Sequence, residues 1–240
     1  GTETPPQSAG NSGLSFVVPT EVVELPSKGI FYPEGHPLCG SEAIEIKHMT
    51  AKEEDILTSK TLLKKGLALE RMIQSIIVNK SINTDSLLSG DRNAIMMSAR
   101  ASAYGEDYVA NVSCPACGAQ QKHEFNLLDI NCRPLDSHEQ LNSVVKLPNN
   151  NFELELPRSG VKTEIRMLTG KDERDLLKST EKRKREKLSE NLLTEQMKMF
   201  IVAVNGNTSQ RTINQFVQTM PAFDSRYLRT VYKTITPDID

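Results

Sequence analysis

Tyr104–Cys132, YGEDYVANVSCPACGAQQKHEFNLLDINC, is the stretch around which the rest of the chain can be ordered. Its centre is a C-P-A-C-G knuckle, Cys114 to Gly118, with Cys132 fourteen residues beyond Gly118. Tyr108–Val112 alternates into the knuckle and His123–Leu127 leads out, so the spacing predicts strand, knuckle, strand. Two thiols at this spacing can share one metal ion, and Gly118 permits the tight turn that aims backbone N–H groups at the sulfurs. A tetrahedral zinc site needs two more ligands. Cys132 fits best as the third because it follows the return strand. His123 is the next candidate, with Cys39 and His36 farther away, and the fourth ligand stays open. A ribbon-like turn without metal is an equal reading. Redox chemistry is the minor one, since a redox C-x-x-C opens a helix and here a strand follows.

Two segments flank this unit. In the first, Phe16–Leu25 is β-branched and extended. Leu25–Leu38, LPSKGIFYPEGHPL, is dense in Pro and Gly and reads as a long loop. Ile30, Phe31 and Tyr32 in it form an apolar anchor, pinning the loop to its own core or to a neighbouring subunit. Ala43–Met49 alternates as a strand. Thr50 with Glu53 makes a capping box opening a helix. Gly66 breaks it, an amphipathic helix covers Leu67–Asn79, and a third runs from Asp91, as N-cap, to Tyr104. The small residues of that helix, Ala94, Ser98, Ala99 and Ala101, suit close internal packing.

In the second segment, residues 144–168 read as a β meander with turns at PNNN and PRSG. Thr169 caps a helix with Asp172, residues 171–200 read as helical, and two short helices follow at 209–219 and 224–235. Ile46–Glu54 and Ile165–Glu173 match as strand, Thr cap, small residue, Lys, acid, Glu at an offset of 119 residues. Each precedes a later helix with an Asp near its start, Asp91 and Asp224. The match raises a duplication without deciding it. The expected fold class is α+β: two strand-plus-helices halves, 14–105 and 136–240, joined by a small zinc-ribbon-like Cys unit at 106–135, with a flexible tail at 1–13.

Composition narrows the function. The 240 residues are 38% hydrophobic and 25% charged, with a formal net charge of −2. That balance argues against a global attraction to nucleic acid or anionic membranes. No apolar run approaches a membrane span, and no secretory signal is read at the N-terminus. Four cysteines with one close pair do not make a secreted disulfide framework, which points to synthesis in a reducing cytoplasm. The run Lys182–Arg185 lies among Glu181, Glu186 and Glu190 and reads as a solvated helix face, with nucleic-acid binding as the sharper alternative. The four histidines are scattered, and no catalytic motif occurs, so an enzyme is not expected.

Taken in order, LPSKGIFYPEGHPL, MTAKEEDILT, LLSGDRNAIMMSARASAYGEDY and CPACG resemble the baseplate proteins of T-even-like contractile-tailed phages, in particular their hub subunits and hub-assembly proteins. The resemblance covers roughly residues 20–132, and the C-terminal half adds little to it. It implies a structural part of the tail tip in the virion, made in the host bacterial cytoplasm. The implied partners are other hub and tail proteins, and a homo-oligomer is expected. The alternatives are a transient hub-assembly chaperone and a zinc-ribbon nucleic-acid binder. Zinc is the one cofactor considered.

Overall fold

A computed structural model describes residues 17–133, 135, 141, 143–186 and 191–239; the tail expected at 1–13 lies outside these. Strand β1 (Thr20–Glu24) pairs antiparallel with β2 (Ala43–Lys47), with Glu24 opposite Ala43. Helices α1 (Ala51–Thr58), α2 (Lys60–Lys64), α3 (Ala68–Ile76) and α4 (Ser89–Tyr104) follow. Strands β3 (Asp107–Ser113) and β4 (Gln120–Asn126) form an isolated hairpin. A four-stranded antiparallel sheet is built in order from β5 (Val144–Lys146), β6 (Phe152–Glu155), β7 (Lys162–Ile165) and β8 (Ile201–Val204). Around it lie α5 (Gly170–Arg185), α6 (Leu192–Phe200), α7 (Gln210–Thr219) and α8 (Ala222–Ile235). The mixed α and β content agrees with the expected class. The cysteine unit is a two-stranded hairpin, and no zinc ribbon is formed among the described residues.

The two halves share one plan. β1–β2 and β6–β7 are both antiparallel hairpins that end on a Thr-capped helix. Thr50 donates its N–H and Oγ1 to Glu53 Oε2 at 2.9 and 2.6 Å. Thr169 does the same to Asp172 Oδ2, at 2.9 Å for each bond. Past the next helices the chain returns to the same strand edge. Ile77 bridges Ile46 in the first half, and Ile201 pairs with Ile165 in the second.

The start of each hairpin loop extends the likeness. Leu25-Pro26-Ser27-Lys28-Gly29 and Leu156-Pro157-Arg158-Ser159-Gly160 share L-P-x-x-G. Leu25 and Leu156 are both fully buried, and each donates its N–H back across its loop, to Glu42 O at 2.8 Å and to Val161 O at 3.0 Å. Each turn also donates to a buried Asp near the start of a later helix. Ser27 N–H reaches Asp91 Oδ1 at 2.9 Å, and Arg158 N–H reaches Asp224 Oδ1 at 2.8 Å. The offset is 131 residues before the loop and 119 after it. The first half therefore carries twelve extra residues in its hairpin loop. Strand order, cap, edge return and buried Asp coincide together, which supports a duplicated unit.

Two expectations need correction. α4 begins at Ser89, so Asp91 is a first-turn residue and no N-cap; its carboxylate turns inward to the 25–32 loop. The stretch 171–200 holds two helices, α5 ending at Arg185 and α6 starting at Leu192. The strand β8 follows α6 directly, its apolar side chains buried as it pairs with β7.

One continuous core joins the halves, running from Leu25, Ile46 and Ile73 to Phe152, Phe200 and Leu228. Their backbones also meet: Ser89 N–H donates to Leu168 O at 3.1 Å and Gly170 N–H to Leu87 O at 2.8 Å. Arg174 then spans the seam to Asp85 at 2.6 Å and Glu70 at 3.3 Å.

Candidate functional site

The long loop is fixed by one buried carboxylate. Asp91 accepts from Ser27 N–H and Oγ (2.6 Å) and from Tyr32 Oη (2.8 Å). Tyr32 in turn accepts the Leu88 N–H at 3.1 Å and stacks on His36 at 4.3 Å between centroids. Burial pushes the Asp91 carboxyl and the Tyr32 hydroxyl above their usual ranges, although the Ser27 donors pull Asp91 the other way. Phe31 packs on Phe152 of the other half. Of the loop's apolar trio, offered either to the chain's own core or to a partner, two are thus part of the core: Phe31 is 8% exposed and Tyr32 2%. Their apolar and hydroxyl groups are satisfied within the chain, so of the trio Ile30, at 39%, is left at the surface.

The β3–β4 hairpin is the opposite kind of element. All seven residues of β4 are exposed, and in β3 only Ala110 and Val112 are half-buried. Tyr108, Val109 and Phe125 stand in solvent. At its base Arg100 of α4 lies over the rings of Tyr104 and Tyr108, at 5.0 and 5.6 Å. At its tip the C-P-A-C-G knuckle closes through Cys114 N–H to Ala119 O (2.9 Å) and Gly118 N–H to Cys114 O (2.8 Å). Gly118 has φ +72°, the left-handed conformation the turn demands. Hydrogen bonding from the Cys117 and Ala116 backbone, together with the Cys117 thiol, lowers the pKa of the Cys114 thiol.

The structure brings Cys114 and Cys117 together and leaves the other proposed ligands elsewhere. His123 lies opposite Ala110, three positions from the Gln120 rung and so about 10 Å down the strand. It packs edge-on against Phe125 at 4.4 Å. Cys132 sits past the base of the hairpin, bridged to Ile239, where burial raises its thiol pKa. His36 bonds Ser86 Oγ at 2.8 Å, and Cys39 is exposed in the long loop. Among the described residues no three His, Cys, Asp or Glu side chains are placed to hold one ion. The basic run ends α5, where Arg185 pairs with Glu181 at 3.7 Å and both are largely exposed. No described helix is long and apolar enough to cross a membrane.

A model of the T4 bacteriophage base plate protein family matches residues 19–150. The chain belongs to that family. The match takes in the Asp91-anchored loop, the Thr50-capped α1 with α2 to α4, the hairpin and β5, and stops within the turn before β6. No curated protein and no solved structure matches the chain. The base plate family thus covers the half that carries the long loop and the projecting arm, while the second half repeats its plan outside the matched stretch. The buried Asp91–Tyr32–Ser27 network was missed in reading the sequence. The one available signal was an Asp and an L-P-x-x-G turn occurring in both halves.

Proposed function

We propose that this chain is a structural subunit of the central hub of a contractile phage tail baseplate, held there by protein–protein docking. The family match over residues 19–150 carries the reading. The architecture supports it. Of the shifted ionisable groups, Glu53 and Asp172 are engaged in helix caps, Asp91 anchors a loop and Tyr232 accepts the Leu168 N–H. Meanwhile Tyr108, Val109 and Phe125 on the arm, and Leu63, Leu69 and Leu177 around a 230 Å³ groove between α2–α3 and α5, are exposed. Such surfaces are what a part buried between neighbours presents before assembly.

Quantitative mass spectrometry of intact virions against a sheath subunit tests this. A few copies per particle, retained after purification, is the expected result. Presence in infected-cell extracts with absence from virions would replace it with a transient hub-assembly chaperone. Absence from both, with DNA or RNA binding that falls steeply with salt and on neutralising Lys182 and Arg185, would replace it with a nucleic-acid role.

A further inference from the structure

We propose that two copies of this chain share one zinc ion at the tips of their β3–β4 arms, each copy supplying Cys114 and Cys117. The donor set comes first. Zinc held structurally takes four ligands in a tetrahedron, with sulfur at about 2.3 Å. The knuckle presents two sulfurs on a turn preformed by the Cys114 N–H to Ala119 O and Gly118 N–H to Cys114 O bonds. Zinc binds each as its thiolate. One tip is therefore half of a tetrathiolate site. The chain does not complete it among its described residues: His123 is held against Phe125, and Cys132 lies beyond the hairpin's other end.

A second tip completes it. Both faces of the arm are open along β4, so the fold leaves a second knuckle free to approach. Ser113–Gln121, SCPACGAQQ, carries no charged side chain in a protein where one residue in four is charged. Two identical tips can therefore meet without like-charge repulsion, and once the four thiols release their protons the ion offsets half of the thiolate charge and leaves a net −2 that no neighbouring acidic side chain of the tip adds to. The pairing is isologous, so it closes at two copies. It also answers a stability problem: a two-stranded hairpin without a covered face is marginal by itself, and a metal clasp at the tip fixes its register. The redox alternative lacks its usual element, since β4 rather than a helix follows Cys117.

The test uses the full chain, prepared under reducing conditions with zinc supplied. Native mass spectrometry is read together with metal analysis. The expected species is a dimer with one zinc, that is 0.5 zinc per chain. A strong chelator should halve the mass, and Co²⁺ in place of zinc should give the visible spectrum of a tetrahedral tetrathiolate. Cys114→Ser and Cys117→Ser should each abolish metal and dimer together while leaving the circular dichroism spectrum of the body unchanged. His123→Ala and Cys132→Ser should keep both. One zinc per monomer, a dimer indifferent to chelator, zinc retained by Cys114→Ser, loss of zinc in Cys132→Ser, or a metal-free protein with reactive thiols would each overturn the proposal.

Discussion

The two halves are the same design with different loops, and the loop changes what the buried Asp does. In the second half the hairpin loop is short, and Asp224 receives two backbone donors, Arg158 N–H and Ser159 N–H at 2.8 and 2.9 Å. In the first half twelve more residues enter the loop, and Asp91 takes one backbone donor plus the hydroxyls of Ser27 and Tyr32. The insertion is thus tied down by side chains through the anchor already in place. The capped helices diverge in the same manner. Glu53 takes a further bond from Ser75 Oγ of α3 at 2.5 Å, whereas Asp172 takes a bidentate pair from Arg166, just past the end of β7, both bonds at 2.8 Å. Two halves on one plan tolerate such exchanges as long as each buried carboxylate keeps its donors.

The comparison can be broken most forcefully at the anchors. Asp91→Ala strands two hydroxyls and a backbone N–H in the interior and should cost about 4 kcal/mol in denaturant unfolding; Asp224→Ala should cost about 2. Equal costs would show that the side-chain donors of the first half add nothing. The shared glycines come next. Gly29 has φ +70°, and a Cβ there would overlap the backbone of Leu38 and Ser41. Gly29→Ala should therefore cost about 3 kcal/mol. Gly160 has a similar φ, +66°, but a Cβ there would meet only the Glu155 side chain, at an ordinary contact of 3.9 Å, so Gly160→Ala should cost about 1 kcal/mol.

Acid separates the caps. Burial opposes ionisation of Glu53, but Ser75 and Thr50 outweigh it and hold its carboxyl at about 2, against an ordinary 4.5. A depressed folded pKa means stability that is present above the ordinary value and lost as pH falls from there towards about 2. The loss amounts to roughly 3 kcal/mol, which Glu53→Gln should remove from the pH–stability curve. The smallest effect has the opposite sign. Thr163 of β7 is fully buried, and its Oγ1 has no hydrogen-bond partner among the described residues, where the first half has Ile44. Thr163→Val should stabilise the protein by about 1 kcal/mol, and a loss would reveal a hidden partner for the hydroxyl.

Local signals read best in the sequence. The capping boxes at Thr50 and Thr169, the alternation of β2, β6 and β7, and the knuckle turn at Gly118 each follow from a few adjacent residues, and the structure contains them all. What escaped was set by distance along the chain. Asp91 looked like a cap because Asp is common there, and only the approach of Ser27 and Tyr32, about sixty residues away, makes it a buried anchor. β8 has no reading from the sequence because its strand character comes from pairing with β7. The candidate zinc ligands Cys132 and His123 were grouped by sequence proximity, yet a hairpin separates its base and middle from its tip by its own length.

Residues 237–239 fold back on the first half. Asp238 O accepts the Arg133 N–H at 2.8 Å, its carboxylate accepts from Asn93, and Ile239 bridges Cys132. Gly90 is needed at the start of α4 because a side chain there would strike Pro237. During synthesis these latches leave the ribosome long after the helix and hairpin they secure. The arm's base therefore waits for the far end of the described chain, and translation, rather than local folding, times the completion of the family-matched half.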